Sequence, residues 1–178
     1  MAPILIRDAA EVDIRAVQQI YAFHVLHGLA TFEESPPTLD DHLARRSAIL
    51  NAGLPFLIAS MQQEIVGYTY ATSYRPRPAY RYTIEDSVYV ANGFQGRGIG
   101  AALLSALIQR CEAGSWRQMI AVIGDSGNIG SIALHKRFGF VHVGTLKDVG
   151  FKLGQWVDTV LMQRALAQGD AARPRASE

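Results

Sequence analysis

Val88-Tyr89-Val90-Ala91-Asn92-Gly93-Phe94-Gln95-Gly96-Arg97-Gly98-Ile99-Gly100, running on into Ala101-Ala102-Leu103-Leu104, reads as strand, tight turn and helix. The β-branched and aromatic opening favours a strand. Gly96, Gly98 and Gly100 permit backbone angles and close approaches that a Cβ blocks. Past Gly98, Ile99, Leu103 and Leu107 recur four apart, and Leu104, Ile108 and Cys111 thicken the stripe into one helix face. A glycine turn that opens a helix presents unpaired N–H groups and the positive end of the dipole, which suits a phosphate. The same glycines also serve a turn that needs them for geometry alone.

The 178 residues fit one domain with a full core, expected over residues 1–166, with a flexible tail over 167–178 rich in Ala, Arg and Pro. A net charge of +1 is too balanced for nucleic acid or an anionic membrane as main partner. No apolar run reaches the roughly 20 residues that span a bilayer, and the first residues lack the pattern of a secretory signal. The one cysteine, Cys111, falls on the apolar helix stripe and reads as a buried core thiol. No intrachain disulfide is possible, which fits a reducing, cytoplasmic compartment.

Taken in order, Pro3 to Arg7 reads as a short strand. Ile14, Val17, Ile20, Tyr21 and Val25 mark an amphipathic helix from Glu11 to about His27. His24 and His27 stand three apart, but two histidines do not close a metal site, and no metal is expected. Phe32 lies in an otherwise polar loop, as a core plug or a pocket wall. Thr38 suits an N-cap, with Asp41 in the first turn of a helix that ends near Asn51 to Gly53. Pro55–Ser60 and Ile65–Ser73 read as an antiparallel strand pair. Met119 to Ile123 is continuously apolar, as suits a strand covered on both faces and parallel to a neighbour. Asn128 to Phe138 reads as a helix with an apolar face of Ile129, Ile132, Ala133 and Phe138. Phe140–Leu146 and Val157–Met162 alternate as strands, joined by Gly150–Gln155.

Three groups of residues carry possible chemistry. In the strand Tyr82–Val90, alternation puts Tyr82, Ile84, Asp86, Val88 and Val90 toward the core, and Thr83, Glu85, Ser87 and Tyr89 on a cleft wall. Arg75 and Arg77 stand two apart, so extended backbone points both guanidiniums one way. They read as a solvated basic loop or as a bidentate clamp for an anion. Asn128, Ser131 and His135 form one polar helix stripe about 10 Å long.

On the glycine turn Gln95-Gly96-Arg97-Gly98-Ile99-Gly100, on Asn128 and Ser131, and on Phe138-Gly139-Phe140, the sequence resembles the GNAT superfamily of acetyl-coenzyme A-dependent N-acetyltransferases. The resemblance sharpens to the phosphinothricin and methionine sulfoximine (sulfone) acetyltransferases through Thr31-Phe32-Glu33, Arg75, Arg77, Tyr80, Glu85-Asp86-Ser87-Val88-Tyr89-Val90, Gly144-Thr145-Leu146, and Lys152 with Gly154, Trp156 and Asp158. It implies an α/β fold with a mixed, mostly antiparallel sheet of about seven strands, splayed in the middle, with helices on both faces. It implies acetyl-CoA as co-substrate, with Val88, Tyr89 and Val90 along the pantetheine arm and Gln95 to Gly100 at the pyrophosphate. It also implies a homodimer whose interface lies near the acceptor pocket, and acceptors that include herbicide-like amino acids.

Under that resemblance Glu85 is the candidate base for the acceptor amine, directly or through a water, and His135 stands where many relatives carry a tyrosine that protonates the leaving thiolate. Which of the two takes which proton stays open. Backbone N–H near Tyr89 or Val90 is the expected oxyanion donor. Phe32, Arg75, Arg77 and Tyr80 are the expected acceptor contacts. Two competing readings remain: a GNAT enzyme for a protein N-terminus or a polyamine, disfavoured by the arginine pair, and a catalytically silent coenzyme A-binding sensor.

Overall fold

A computed structural model describes residues 3–171. Among these residues seven strands form one sheet: β1 (Leu5–Asp8), β2 (Phe56–Met61), β3 (Glu64–Ser73), β4 (Thr83–Val90), β5 (Gln118–Gly124), β6 (Val141–Lys152) and β7 (Gln155–Ala165). Their order is β1-β2-β3-β4-β5-β7-β6. Every neighbouring pair is antiparallel except β4 with β5. That parallel pair is the one expected from the apolar run at Met119 to Ile123, since two parallel strands need a crossover such as α3 (Ile99–Glu112) between them. The other helices are α1 (Ile14–His27), α2 (Leu39–Asn51) and α4 (Ile129–Arg137).

The alternation of β4 sorts the helices onto two faces. Val88 and Val90 pack with Ile99 and Leu103 of α3. Tyr89 points the other way, its ring 5.1 Å from Tyr21 of α1. α2 is started by a reciprocal cap, in which the Thr38 hydroxyl accepts from Asp41 N and the Asp41 carboxylate accepts from Thr38 N. Cys111 is fully buried, and burial pushes its thiol up to about 12, so it is a core group without nucleophilic character.

The feature that makes the site is a break in pairing. β4 and β5 are joined only from Thr83–Asp86 to Gln118–Ala121. Beyond that they run on to Val90 and Gly124 without pairing, so the sheet opens into a wedge. Val122, 39% exposed, therefore faces open space, whereas both faces of β5 were expected to be covered. Met119, Ala121 and Ile123 are the buried set.

Two other expectations change. The connection expected over Gly150–Gln155 shrinks to Leu153-Gly154, both at positive φ (50° and 77°), the geometry whose twist suits a two-residue hairpin. In α4 the polar stripe turns inward. His135 is buried while Ile129 is 68% exposed, although Ile132, Leu134 and Phe138 still pack against the core. Leu166 is buried and its N–H donates to Arg117 O, and turns follow to Ala171. The rest of the expected tail, 172–178, lies outside the described residues. Among the described residues no helix is long and apolar enough to cross a membrane.

Candidate active site

The wedge opens into a cleft of about 600 Å³. Ser87 to Val90 form one wall, Ala121 to Gly124 the other, and Gln95, Gly96 and Gly98 to Ala101 its mouth, with Asn128, Ser131 and His135 of α4 beside them. At the mouth, Gly96 and Gly98 sit at φ 76° and 83°, left-handed backbone that glycine tolerates without strain. Gln95 Oε1 accepts from Gly93 N and closes the turn. Among the described residues no side chain caps α3. Its first helical bond is Ala102 N to Gly98 O, so the N–H groups of Ile99, Gly100 and Ala101 have no helical partner. Three free donors at the positive end of a 14-residue helix make an anion cradle. Arg97 lies outside the lining, its guanidinium 4.9 Å above the Phe94 ring.

The wall of the cleft is backbone. Ala91 N donates to Val66 O, so position 91, and with it 89 and 87, turns its backbone toward β3. Strand alternation then turns Val88 and Val90 toward the wedge, where β5 has moved away. The Val90 carbonyl accepts from His24 Nε2 at 2.9 Å. The ring of His24, read in the sequence only as one of two histidines that do not close a metal site, thus braces the end of β4. Val88 N–H, Val88 C=O and Val90 N–H face the opening. Tyr89 lines the cleft too, but its ring lies between Tyr21 and Tyr68.

Deeper in the cleft Asn128 caps α4, its Oδ1 accepting from Ser131 N. One turn on, His135 Nδ1 donates to Ser131 O at 2.8 Å and Nε2 meets Asp86 Oδ2 at 2.9 Å. Burial alone lowers the imidazole's pKa. The Asp86 hydrogen bond and charge, with the Ser131 carbonyl, outweigh it, so the net direction is upward. Asp86 was not singled out from the sequence. Its signal was an acid in the inward-facing set of β4, where burial demands a partner.

Glu85 faces the opposite side of β4, next to Thr72 on β3 and Ile120 on β5. Burial, reinforced by the charge of Asp86, pushes its carboxyl up to about 7. Among the described residues no cation is paired with it. Glu85 and His135 are therefore not in contact; the strand and Asp86 lie between them.

On the Glu85 face, Arg75, Tyr80 and Tyr74 line a second hollow of about 330 Å³ with Thr83 and Ile120, the strand neighbours of Glu85. The Arg75 guanidinium stands 5.1 Å from the Tyr74 ring and 5.7 Å from that of Tyr80. Arg77 does not line this hollow, because bends at Tyr74, Pro76 and Arg77 replace the extended backbone that would align the two arginines. Phe32, 42% exposed, packs over Gly150 of β6, where a Cβ would come within 2.5 Å of the ring. Its loop is held by Lys152, a buried ammonium donating to Thr31 O at 2.7 Å.

Comparison with known proteins adds four findings. The sequence model described as the acetyltransferase (GNAT) family matches residues 18–140. The chain is 53% identical to a phosphinothricin N-acetyltransferase of Alcaligenes faecalis, over 95% of this chain and 86% of that protein. It is 40% identical to an L-methionine sulfoximine/L-methionine sulfone acetyltransferase of Pseudomonas paraeruginosa, over 89% and 92%. Among solved structures, a GNAT superfamily phosphinothricin acetyltransferase from Sinorhizobium meliloti in complex with AcCoA superposes with a TM-score of 0.95 at 44% identity, covering 98% of this chain and 94% of that one.

Proposed function

The chain belongs to the acetyltransferase (GNAT) family, and from that premise we propose that it moves the acetyl group of acetyl-CoA to the amine of a small amino-acid-like acceptor. The acceptor is of the phosphinothricin, methionine sulfoximine or methionine sulfone type. The observation that carries this reading is the wedge between β4 and β5, with an anion cradle at its mouth and free backbone groups along its wall. Pyrophosphate fits three unpaired helix N–H groups. A pantetheine arm, with its amides, fits the backbone of Val88 and Val90.

Acetyl transfer needs a neutral amine, and a model α-amino group titrates at about 7.7–8.0. Glu85, at about 7, is ionised in most molecules above neutrality and takes that proton, directly or through a water. Negative charge gathers on the acetyl oxygen as the amine attacks, and the N–H groups of Val88 and Val90 are the donors turned toward it. His135, on the other side of the strand, returns a proton to the sulfur. Arg75 and Tyr80 hold the acceptor's anionic group, without Arg77, and Phe32 packs beside it. The active form is a homodimer, supported by the exposed apolar residues of β6 beside the Arg75 hollow, and the protein works in the cytoplasm.

Thiol release from acetyl-CoA with a panel of amines tests the reading. Methionine sulfone, methionine sulfoximine and phosphinothricin, ranked by kcat/KM, are expected to exceed a polyamine and a peptide N-terminus. Tight acetyl-CoA binding without turnover of any amine would instead identify a coenzyme A-binding sensor.

A further inference from the structure

We propose that Arg137 completes the donor site, its guanidinium on α4 taking a phosphate group of acetyl-CoA at the mouth of the cleft, beside the N–H cradle of α3. The inference rests on the acetyl-CoA site of the reading above and deepens it.

The cradle leaves charge uncompensated. Its donors, the N–H groups of Ile99, Gly100 and Ala101, are neutral. Coenzyme A brings both a pyrophosphate and a 3′-phosphate, each anionic at neutral pH. The arginine of the glycine turn does not answer them, because Arg97 lies outside the lining with its guanidinium 4.9 Å above the Phe94 ring. Of the side chains that line the cleft, His24, Asp86, His135 and Arg137 are those that can carry charge near neutral pH. Asp86 and His135 are bound to each other. Burial lowers the pKa of His24, so its ring is neutral, and its Nε2 proton is given to Val90 O. Arg137 is charged at any pH the fold meets. It is exposed, and among the described residues no carboxylate pairs with it. It is the cation that the cleft offers to an anion.

Helix geometry puts it next to the cradle. Leu134 and Arg137 both line the cleft from α4. Leu134 abuts the start of α3, since a Cβ at Gly100 would lie 3.3 Å from Leu134 Cδ2. Residues three apart share a helix face, with Cβ atoms about 5–6 Å from each other. Long helical side chains lean back over the turn that precedes them. That direction carries Arg137 over Leu134 and toward Gly100, whose N–H is the middle donor of the cradle. A planar guanidinium grips phosphate oxygens in pairs, while the N–H groups of a helix start approach from another side, so the two kinds of donor complement each other.

The last turn of α4 also holds His135 and Lys136, and cations there favour the negative end of the helix dipole. A dipole role acts on stability and is blind to the phosphates of a ligand. The test turns on that difference.

Binding measured by titration calorimetry without acceptor needs no turnover. Arg137→Met is expected to weaken acetyl-CoA binding about 10- to 100-fold, the range of a lost charge-assisted hydrogen bond. Arg137→Lys keeps the charge without the fork and is expected to weaken it less. The kcat of Arg137→Met at saturating acetyl-CoA is expected to stay within about twofold, because a phosphate remote from the reacting carbon is held equally before and during transfer. Truncated donors separate the two phosphates. A penalty that disappears with acetyl-dephospho-CoA assigns Arg137 to the 3′-phosphate, and one that persists assigns it to the pyrophosphate. Acetyl-pantetheine has no phosphate, and wild type and Arg137→Met are expected to bind it alike. An equal penalty with acetyl-pantetheine, or acetyl-CoA bound as tightly by Arg137→Met as by wild type, overturns the proposal. Wild-type protein that binds acetyl-CoA but turns over no amine sinks the acetyl-transfer reading instead.

Discussion

Glu85 and Asp86 are consecutive carboxylates on β4 with opposite partners, and that difference sets their chemistry. Asp86 has the imidazole of His135 at 2.9 Å, whereas Glu85 has no paired cation among the described residues and a carboxyl pushed up to about 7 by burial and by Asp86's charge. The raised value has two consequences. As a base Glu85 must be ionised, so kcat/KM is expected to fall below about pH 7, and Glu85→Gln should lower kcat by roughly 10²-fold or more. As a half-buried carboxyl with a raised folded-state pKa, it favours the folded state only when protonated. Its stabilising contribution is present below the unfolded value of about 4.3 and is lost as pH rises through about 7. Glu85→Gln should therefore be more stable than wild type at pH 8, by on the order of 1–3 kcal/mol, and match it near pH 4. Melts at the two pH values check this; equal melting at pH 8 would refute the buried-base account. Arg75 gives a separate test. It is exposed and stacked on Tyr74 and Tyr80, so Arg75→Ala should leave stability nearly unchanged. A lost charged hydrogen bond of about 1.5–3 kcal/mol should raise the acceptor's KM roughly 10- to 100-fold. Equal rises in both substrates' KM would rule out the clamp.

At the scale of elements, the sequence made the parts legible and left their relations hidden. The strand–turn–helix at Val88 to Leu104 was readable because glycine at positive φ and a four-residue apolar repeat are local signals. The Thr38–Asp41 cap and the parallel β4–β5 pair were readable for the same reason. The wedge, by contrast, was expected only through the family resemblance: it is the end of a pairing register, and nothing in the residues of β4 or β5 alone encodes where two distant strands part. The Asp86–His135 contact spans 49 positions, and periodicity could assign Asp86 to a face without naming what waits there. Arg77 departs from its expected place because bends overrule the strand alternation. The turn yields its own prediction. At Gly98 a Cβ would meet nothing within 4 Å, so Gly98→Ala is opposed only by its φ of 83°. That strain costs about 1–2 kcal/mol. If relaxing it moves the free N–H groups of α3, KM for acetyl-CoA should rise up to about tenfold while the acceptor's KM holds. An unchanged acetyl-CoA KM would remove the turn from the donor site.

For the whole molecule the decisive feature is the sheet's far edge. β6 is twelve residues long, lies at the end of the strand order, and exposes Val141 (65%), Val143 (57%) and Phe151 (57%), with Trp156 of β7 (64%) packed on Phe151. A long apolar edge strand invites pairing with another chain unless it is covered. Two irregularities in its register, at His142/Gly144 and Leu146/Gly150, bend the edge without removing its apolar residues. Val143 also lines the hollow of Arg75 and Tyr80. A second copy seated there would wall in the acceptor site, coupling assembly to acceptor affinity while leaving the acetyl-CoA cleft, between β4 and β5, untouched. Wild-type protein is therefore expected to sediment as a dimer. Val143→Asp places a charge in the interface, and a charge buried without a partner is costly. It should shift the protein toward monomer and raise the acceptor's KM, with acetyl-CoA binding retained. A monomeric wild type with full activity would end the dimer proposal. A monomeric Val143→Asp variant with an unchanged acceptor KM would separate the interface from the site.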